Sequence, residues 1–300
     1  MTAALVWTVL SVVWGLTWLA VRIGLNDIPP ITFAAIRFLL AAAVLGTVIA
    51  VRRIELPHNS RDLRLLTATG ILTIGIAYSA QFWGQQYVSS GLTAVMFSTV
   101  PLFALLFAHV GLPGEPMTKA KFAGVTLGLV GVVVIFSDQL KSEGPLVVWG
   151  CVGFLIGSAS MALAQVLIKA RARHIDPLLI ACYQMVVGGS TLLVIGILAD
   201  GGPLRVSWTP SAVVSLAYLS LAGSALGFFL LYWLLRHMQV TKVTSMALVH
   251  PLVAVVAGSV VLGETLSWRI GLGAVAILAG LAMILPRTQA SFGPLRGPVR

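Results

Sequence analysis

Few side chains in this 300-residue chain could do chemistry, and they stand singly within apolar sequence. His250 precedes Pro251 inside a hydrophobic stretch. An imidazole there could hydrogen-bond a solute or carry a proton, and ionisable groups at membrane depth usually face a cavity or a partner. Arg37 lies about seven residues into another stretch, about 10 Å deep at 1.5 Å per residue. It could clamp helix-end carbonyls or hold a solute carboxylate through paired N–H bonds. Tyr78, Gln81 and Phe82 are spaced i, i+3, i+4 and share one helical face. With Trp14, Trp18, Ser98, Gln165, Tyr183, Tyr218 and His250 they could form the solute pathway, an apolar pocket holding a few polar groups, which suits a small organic solute. Trp7, Trp83, Trp149 and Trp208 read instead as interface anchors or packing.

Other chemistries have no residues to run them. There is no HExxH, no pair of membrane-embedded aspartates and no Ser/His/Asp constellation, so no catalytic residues are expected. Cys151 and Cys182 lie in apolar stretches without metal-ligand spacing and read as buried thiols. The glycines follow no strand and read as helix-packing positions, not a nucleotide loop. No metal or cofactor is expected. No carboxylate falls near the middle of an apolar stretch, although a carrier of permanently cationic drugs would be expected to keep one there.

The elements that must position these groups are helices. Of the residues, 58% are hydrophobic and 9% charged, against about 25% charged in a soluble domain. Ten apolar stretches, each near the roughly 20 residues needed to cross a bilayer, fall at about 3–25, 30–51, 66–87, 90–111, 119–137, 145–168, 177–199, 210–235, 241–262 and 268–286. Lipid forces the backbone to satisfy its own hydrogen bonds, so the spans are expected to be helical. The fold expected is an all-α integral membrane bundle forming one domain over 1–287, with a short disordered cytoplasmic tail at 288–300. The first span has no basic leader and runs too long for a cleavable signal peptide. Proline interrupts helical hydrogen bonding, so Pro101 and Pro251, near the middle of spans four and nine, are candidate hinges. The carbonyls of Phe97 and Ala247 would be left for the cavity, or for pairing by Ser98 or Thr244.

Charge sets an orientation. Arg52, Arg53, Arg61, Arg64, Lys119, Lys121, Lys169, Arg171, Arg173, Arg236, Lys242, Arg287, Arg296 and Arg300 fall on the side of the N-terminus. Arg22, Lys141, Arg205 and Arg269 fall on the other. The positive-inside rule then puts both termini in the cytoplasm. The net charge of +10 serves orientation and carries no aromatic-interleaved basic face for nucleic acid.

The chain also repeats itself at about 150 residues. Placing Trp83 over Trp233 brings Phe82 to Tyr232, Pro101 to Pro251, and the Gly-Glu pair at 114–115 close to that at 263–264. With small gaps, Gly124 and Gly131 meet Gly273 and Gly280, Pro30 meets Pro177, and Arg37 meets Gln184. Met161-Ala162 stands where Trp14-Gly15 would recur, so a role for that tryptophan is confined to one half. Repeat one covers about 3–137 and repeat two about 145–286. Five spans per copy turn the second copy upside down, a transporter signature with its site at the repeat interface. Glu115 and Glu264, each three residues before a Thr118 or Ser267 that could cap the next span, read as loop residues or as gate latches.

Trp14-Gly15, Ile28-Pro29-Pro30 through Arg37-Phe38, Ser90-Gly91-Leu92-Thr93-Ala94, Pro101-Leu102 and Gly114-Glu115, with Pro251-Leu252 and Gly263-Glu264, resemble the EamA-type ten-helix branch of the drug/metabolite transporter superfamily. The resemblance covers about residues 3 to 286. It implies an inner-membrane carrier, often an exporter of amino acids or related metabolites. Its central cavity would lie between spans one to four and six to nine. The function expected is alternating-access export of small neutral or zwitterionic metabolites, with uptake or multidrug export as alternatives and an intramembrane enzyme as a weak one. The partners expected are a small metabolite and the bilayer, without nucleic acid, in a monomer or homodimer.

Overall fold

The computed structural model describes residues 2–57, 59–84, 87–88, 90–137, 144–262 and 268–285. All regular structure among them is helical. The helices are α1 (Ala3–Gly24), α2 (Pro30–Val51), α3 (Ser60–Gly84), α4 (Ser90–Phe97), α5 (Val100–Gly111), α6 (Lys119–Ile135), α7 (Val147–Arg171), α8 (Pro177–Ala199), α9 (Pro210–His237), α10 (Val240–Thr244), α11 (His250–Leu262) and α12 (Trp268–Ile284). Gly263, Glu264, Ser267, Lys141, Arg287 and the segment 288–300, given roles above, lie outside the described residues.

Eight segments are long and apolar enough to cross a membrane. They are α1, α2, α3, Thr93–Gly111, α7, α8, α9 and Val240–Ala257. The expected ten is not reached on length. The other two expected spans correspond to α6 and α12, with 17 residues each, below the roughly 20 that a span needs. The result is a multi-pass helical membrane bundle.

Helix starts follow from local chemistry. Pro30, Pro177 and Pro210 stand in first turns, where a missing N–H costs nothing. Side chains satisfy other first-turn donors: Asp176 accepts from Leu178 N at 2.8 Å, Thr209 from Ala212 N at 3.1 Å, and Thr118 from Lys121 N at 3.2 Å. Asp200 does this between helices. Its carboxylate accepts from Ile31 N at 2.9 Å, Thr32 N at 3.1 Å and the Thr32 hydroxyl at 2.6 Å. An anion at a helix N-terminus is favourable, and this one fastens the start of α2 to the end of α8. Gln184, the repeat counterpart of Arg37, is fully buried. It donates to Thr69 Oγ1 at 2.6 Å and accepts from the Tyr232 hydroxyl, locking α3, α8 and α9 together.

Four of the eight long segments are not plain α-helices. α3 contains a π-helical stretch at Ile71–Ile76, and α9 contains another at Leu219–Leu226, about 150 residues later. The proline-bearing segments are interrupted outright. α4 ends at Phe97 and α5 begins at Val100. α10 passes into a 3₁₀ stretch at Ser245–Leu248 before α11 begins at His250. Pro101 and Pro251 therefore stand at the second residue of a new helix instead of kinking a continuous one. Ser98 Oγ donates to Ala94 O at 2.8 Å and reaches Ala247 O at 3.4 Å, so one break helps satisfy the other. Thr244 does not share that task, since its hydroxyl turns back to Val240 O and Thr241 O.

α6 and α12 pack on each other through glycines. A Cβ on Gly131 would lie 2.6 Å from Gly273 O, and one on Gly280 would lie 2.4 Å from Gly124 O. These are the four glycines of the repeat alignment, but in space they pair crosswise, Gly131 with Gly273 and Gly124 with Gly280. Any side chain there pushes on backbone, which cannot yield locally. Gly131→Leu is accordingly expected to lower the melting temperature of the detergent-purified protein by about 2–10 °C, as overpacking of 1–3 kcal/mol would. Gly271→Ala, with nothing within 4 Å of the added Cβ, is expected to leave it unchanged. Equal melting temperatures for the two variants would show that this helix pair is not held at glycine contact.

Candidate substrate cavity

The interrupted segments and α1 surround a cavity of about 100 Å³. α1 presents Trp14, Thr17, Trp18 and Val21, spaced along one face. α2 contributes Arg37, α3 contributes Thr73, Tyr78, Gln81 and Phe82, and α4 contributes Phe97. Met161 and Gln165 come from α7, Phe228 and Leu231 from α9, and His250 from α11. Pockets for drug-sized ligands are commonly about 300–1,000 Å³, so this conformation has room for a compact solute.

The wall is largely aromatic and set by edge contacts. Trp14 meets Phe228 at 5.6 Å and His250 at 5.9 Å between ring centroids, both edge-on. Trp18 meets Phe97 at 5.8 Å, and Tyr78 meets Phe38 at 4.9 Å. The π-helical stretch of α9 fixes the first of these rings, because Trp14 Nε1 donates to Gly223 O at 2.9 Å. Two close approaches bring the helices to it. A Cβ on Gly15 would lie 2.4 Å from Val253 Cβ, and one on Gly227 would lie 2.5 Å from Trp14 Nε1.

The polar groups in the wall are few and poorly matched by protein. Thr73 Oγ1, Gln81 Nε2, Gln165 Oε1 and His250 Nε2 are buried without a hydrogen-bond partner in the protein. Leaving such an atom unpaired costs about 1–3 kcal/mol, so water or a solute that met them would be favoured. Arg37, 6% exposed, donates from Nε to Ser224 Oγ at 3.1 Å. Its guanidinium carbon lies 4.6 Å from the Phe38 ring centroid and 5.5 Å from that of Tyr78. Among the described residues no carboxylate pairs with it.

Of the expected pathway residues, Trp14, Trp18, Tyr78, Gln81, Phe82, Gln165 and His250 line this one cavity together with Arg37. Three do not. Tyr183 hydrogen-bonds Thr67 Oγ1 at 3.1 Å, Tyr218 donates to Val13 O at 3.0 Å, and Ser98 is occupied at the helix break. Pro101 and Pro251 lie at the breaks and outside the wall. Thr17, Val21, Thr73, Met161, Phe228 and Leu231 line it as well, without having been expected there, and so does Phe97, of which only the carbonyl was expected to face it. The signal for two of them was present: Phe228 and Leu231 stand 150 residues after Tyr78 and Gln81.

A second polar cluster lies away from the cavity. Trp7 Nε1 donates to Lys242 O at 2.9 Å, which puts the start of α1 at this end of the bundle. Glu115, just beyond α5, accepts from Val240 N at the start of α10 at 2.6 Å and pairs with Lys169 Nζ at 2.8 Å. Lys169, near the end of α7, also donates to Met238 O. One buried carboxylate thus joins three helices.

The sequence profile of the EamA-like transporter family matches residues 1–137 and 148–285. The chain is 29% identical over 274 residues to the uncharacterized transporter YoaV of Bacillus subtilis, covering 91% of this chain and 93% of that protein. It is 32% identical over 259 residues to the uncharacterized inner membrane transporter YedA of Escherichia coli K12, covering 86% and 82%. A Salmonella typhimurium protein named "Probable amino-acid metabolite efflux pump" is 25% identical over 283 residues, covering 90% of each. A solved crystal structure superposes with a TM-score of 0.81 at 18% identity, covering 94% of this chain and 95% of that one, which speaks for the fold alone. The match across nearly the whole chain makes this protein a member of the EamA-like transporter family, a membrane transporter and not an enzyme.

Proposed function

We propose that the protein exports small neutral or zwitterionic metabolites, amino acids or their derivatives, from the cytoplasm by alternating access. The observation that carries this reading is the compact aromatic cavity with unpaired buried polar atoms from three different helices. The name of the Salmonella relative supports the substrate class. The architecture proposed is ten spans in two inverted repeats of five, 3–137 and 145–286, forming one domain. α6 and α12 would cross as the fifth span of each repeat. The basic residues would put both termini in the cytoplasm of a bacterial-type cell.

The test is counterflow in proteoliposomes holding the purified protein. A carrier exchanges labelled solute for unlabelled solute and returns it chemically intact. With no carboxylate in the described lining, movement is expected down the solute's own gradient. An imposed pH gradient should not accumulate solute, and His250→Gln, which keeps a donor and an acceptor, should retain exchange. Uphill accumulation driven by the pH gradient and abolished in His250→Gln would make His250 a proton carrier instead.

The breaks before Pro101 and Pro251 are the proposed hinges. Alanine at either position supplies an N–H and lets the α-helix run on. Both Pro101→Ala and Pro251→Ala are expected to lower transport rate more than solute affinity. Normal transport by both folded variants would reduce the breaks to packing features.

Glu115 is the proposed latch that keeps the cytoplasmic end closed. Removing one partner of a buried ion pair costs about 3–5 kcal/mol. Lys169→Met should therefore open that end. A cysteine at Thr17, in the cavity, should then react faster with an impermeant thiol reagent supplied from the cytoplasmic side, by about tenfold or more. Unchanged labelling would leave Glu115 a helix-capping residue only.

A further inference from the structure

We infer that Arg37 is a carboxylate subsite of this cavity and that Gln165 accepts a hydrogen bond from the same solute. The cargo is then a compact organic acid carrying an N–H or O–H group elsewhere on its frame. This rests on the carrier reading above and alters its substrate class: the cargo carries a free carboxylate, as a zwitterionic amino acid or a simple organic anion does, and solutes without one are excluded.

The argument begins with charge. A guanidinium stays protonated at any pH the protein meets. Arg37 is held out of water among Phe38, Tyr78 and the cavity space. Its Nε donates to the neutral Ser224 hydroxyl, and the Tyr78 ring lies beside the guanidinium. A guanidinium has five N–H donors in a planar fork, and that bond uses one of them. Water entering the cavity could pair with the two glutamines and the imidazole, but it could not neutralise a cation. The described lining contains no Asp or Glu. A solute carboxylate supplies the missing charge and accepts paired N–H bonds in the planar geometry that guanidinium favours.

The remaining orphans extend the pattern. Gln165 Oε1 needs a donor, and Gln81 Nε2 and His250 Nε2 can be met by further solute oxygens or by water. The rings of Trp14, Trp18, Phe82 and Phe97 suit an apolar or aromatic body between the polar ends. A permanent cation has no counter-charge in this wall.

Three small probes of nearly equal size separate these contacts: 4-hydroxyphenylacetate, its uncharged analogue 4-hydroxyphenylacetamide, and phenylacetate, which lacks the hydroxyl. Binding is read as ligand-dependent thermal stabilisation of the purified full chain, and exchange is read by counterflow of labelled 4-hydroxyphenylacetate. The wild type should bind the acid at least about tenfold more tightly than the amide, as loss of charge-assisted bonds predicts. Arg37→Gln should bind acid and amide alike. Arg37→Lys keeps the charge without the fork and should retain a smaller preference for the acid, which guards against a misfolded glutamine variant. Gln165→Leu should erase the advantage of 4-hydroxyphenylacetate over phenylacetate and leave the preference for acid over amide intact. Equal binding of acid and amide by the wild type, or binding of neither, overturns the subsite. The two readings fail separately. Exchange of some solute without acid preference leaves a carrier and removes the subsite, whereas acid-selective binding without any exchange keeps the subsite and removes the carrier.

Discussion

Lipid offers the backbone no hydrogen bonds, so a membrane helix can be broken only where protein, solute or trapped water meets the exposed groups. That constraint organises this molecule. Its irregular stretches lie where α3, α9, α4–α5 and α10–α11 converge, and the cavity lies among them. Two of these stretches take a partner from elsewhere in the chain. Gly223 O in the π-helical stretch of α9 takes the Trp14 indole, and Ala247 O in the 3₁₀ stretch takes the Ser98 hydroxyl. Such partners help the interruptions persist, and the proposed hinges lie among them.

The rest of the bundle makes those interruptions tolerable. α2 and α8 are tied by Asp200, and α3, α8 and α9 by Gln184 and Tyr232. α6 and α12 touch at glycine-to-carbonyl distance and contribute nothing to the cavity wall. Stiff, fully bonded pairs thus flank segments whose bonding is irregular. The burial of Glu115 against the start of α10 follows the same logic, because a carboxylate satisfies a helix N-terminus that lipid would leave bare.

Much of this could be read from the sequence, and the failures have physical causes. Apolar length located the helices, since span length is fixed by the bilayer, but it could not fix the number that cross, because α6 and α12 are short. Tyr78, Gln81 and Phe82 fell together because i, i+3, i+4 spacing needs no tertiary information. Tyr183 and Tyr218 were grouped with them only because tyrosine is amphipathic. Their hydroxyls are spent on Thr67 and Val13, which only the packing reveals. The π-helical stretches left no mark in composition. Phe228 and Leu231 escaped notice because the repeat preserves position while changing polarity.

That last failure says something about the site itself. In the proposed inverted repeat, Tyr78 and Phe228 are counterparts, as are Gln81 and Leu231, and Trp14 and Met161. All six line the cavity. At each pair the first half supplies the polar or hydrogen-bonding side chain and the second half an apolar one. The symmetric scaffold therefore encloses an asymmetric surface. Gln165 and His250 are the exceptions, and they come from the second half. A two-fold scaffold can present its site equally to both sides of a membrane, whereas an asymmetric wall gives a bound solute one preferred orientation. With a cation on α2 and an unpaired acceptor on α7, the described wall would hold the two ends of the proposed solute by different chemistry.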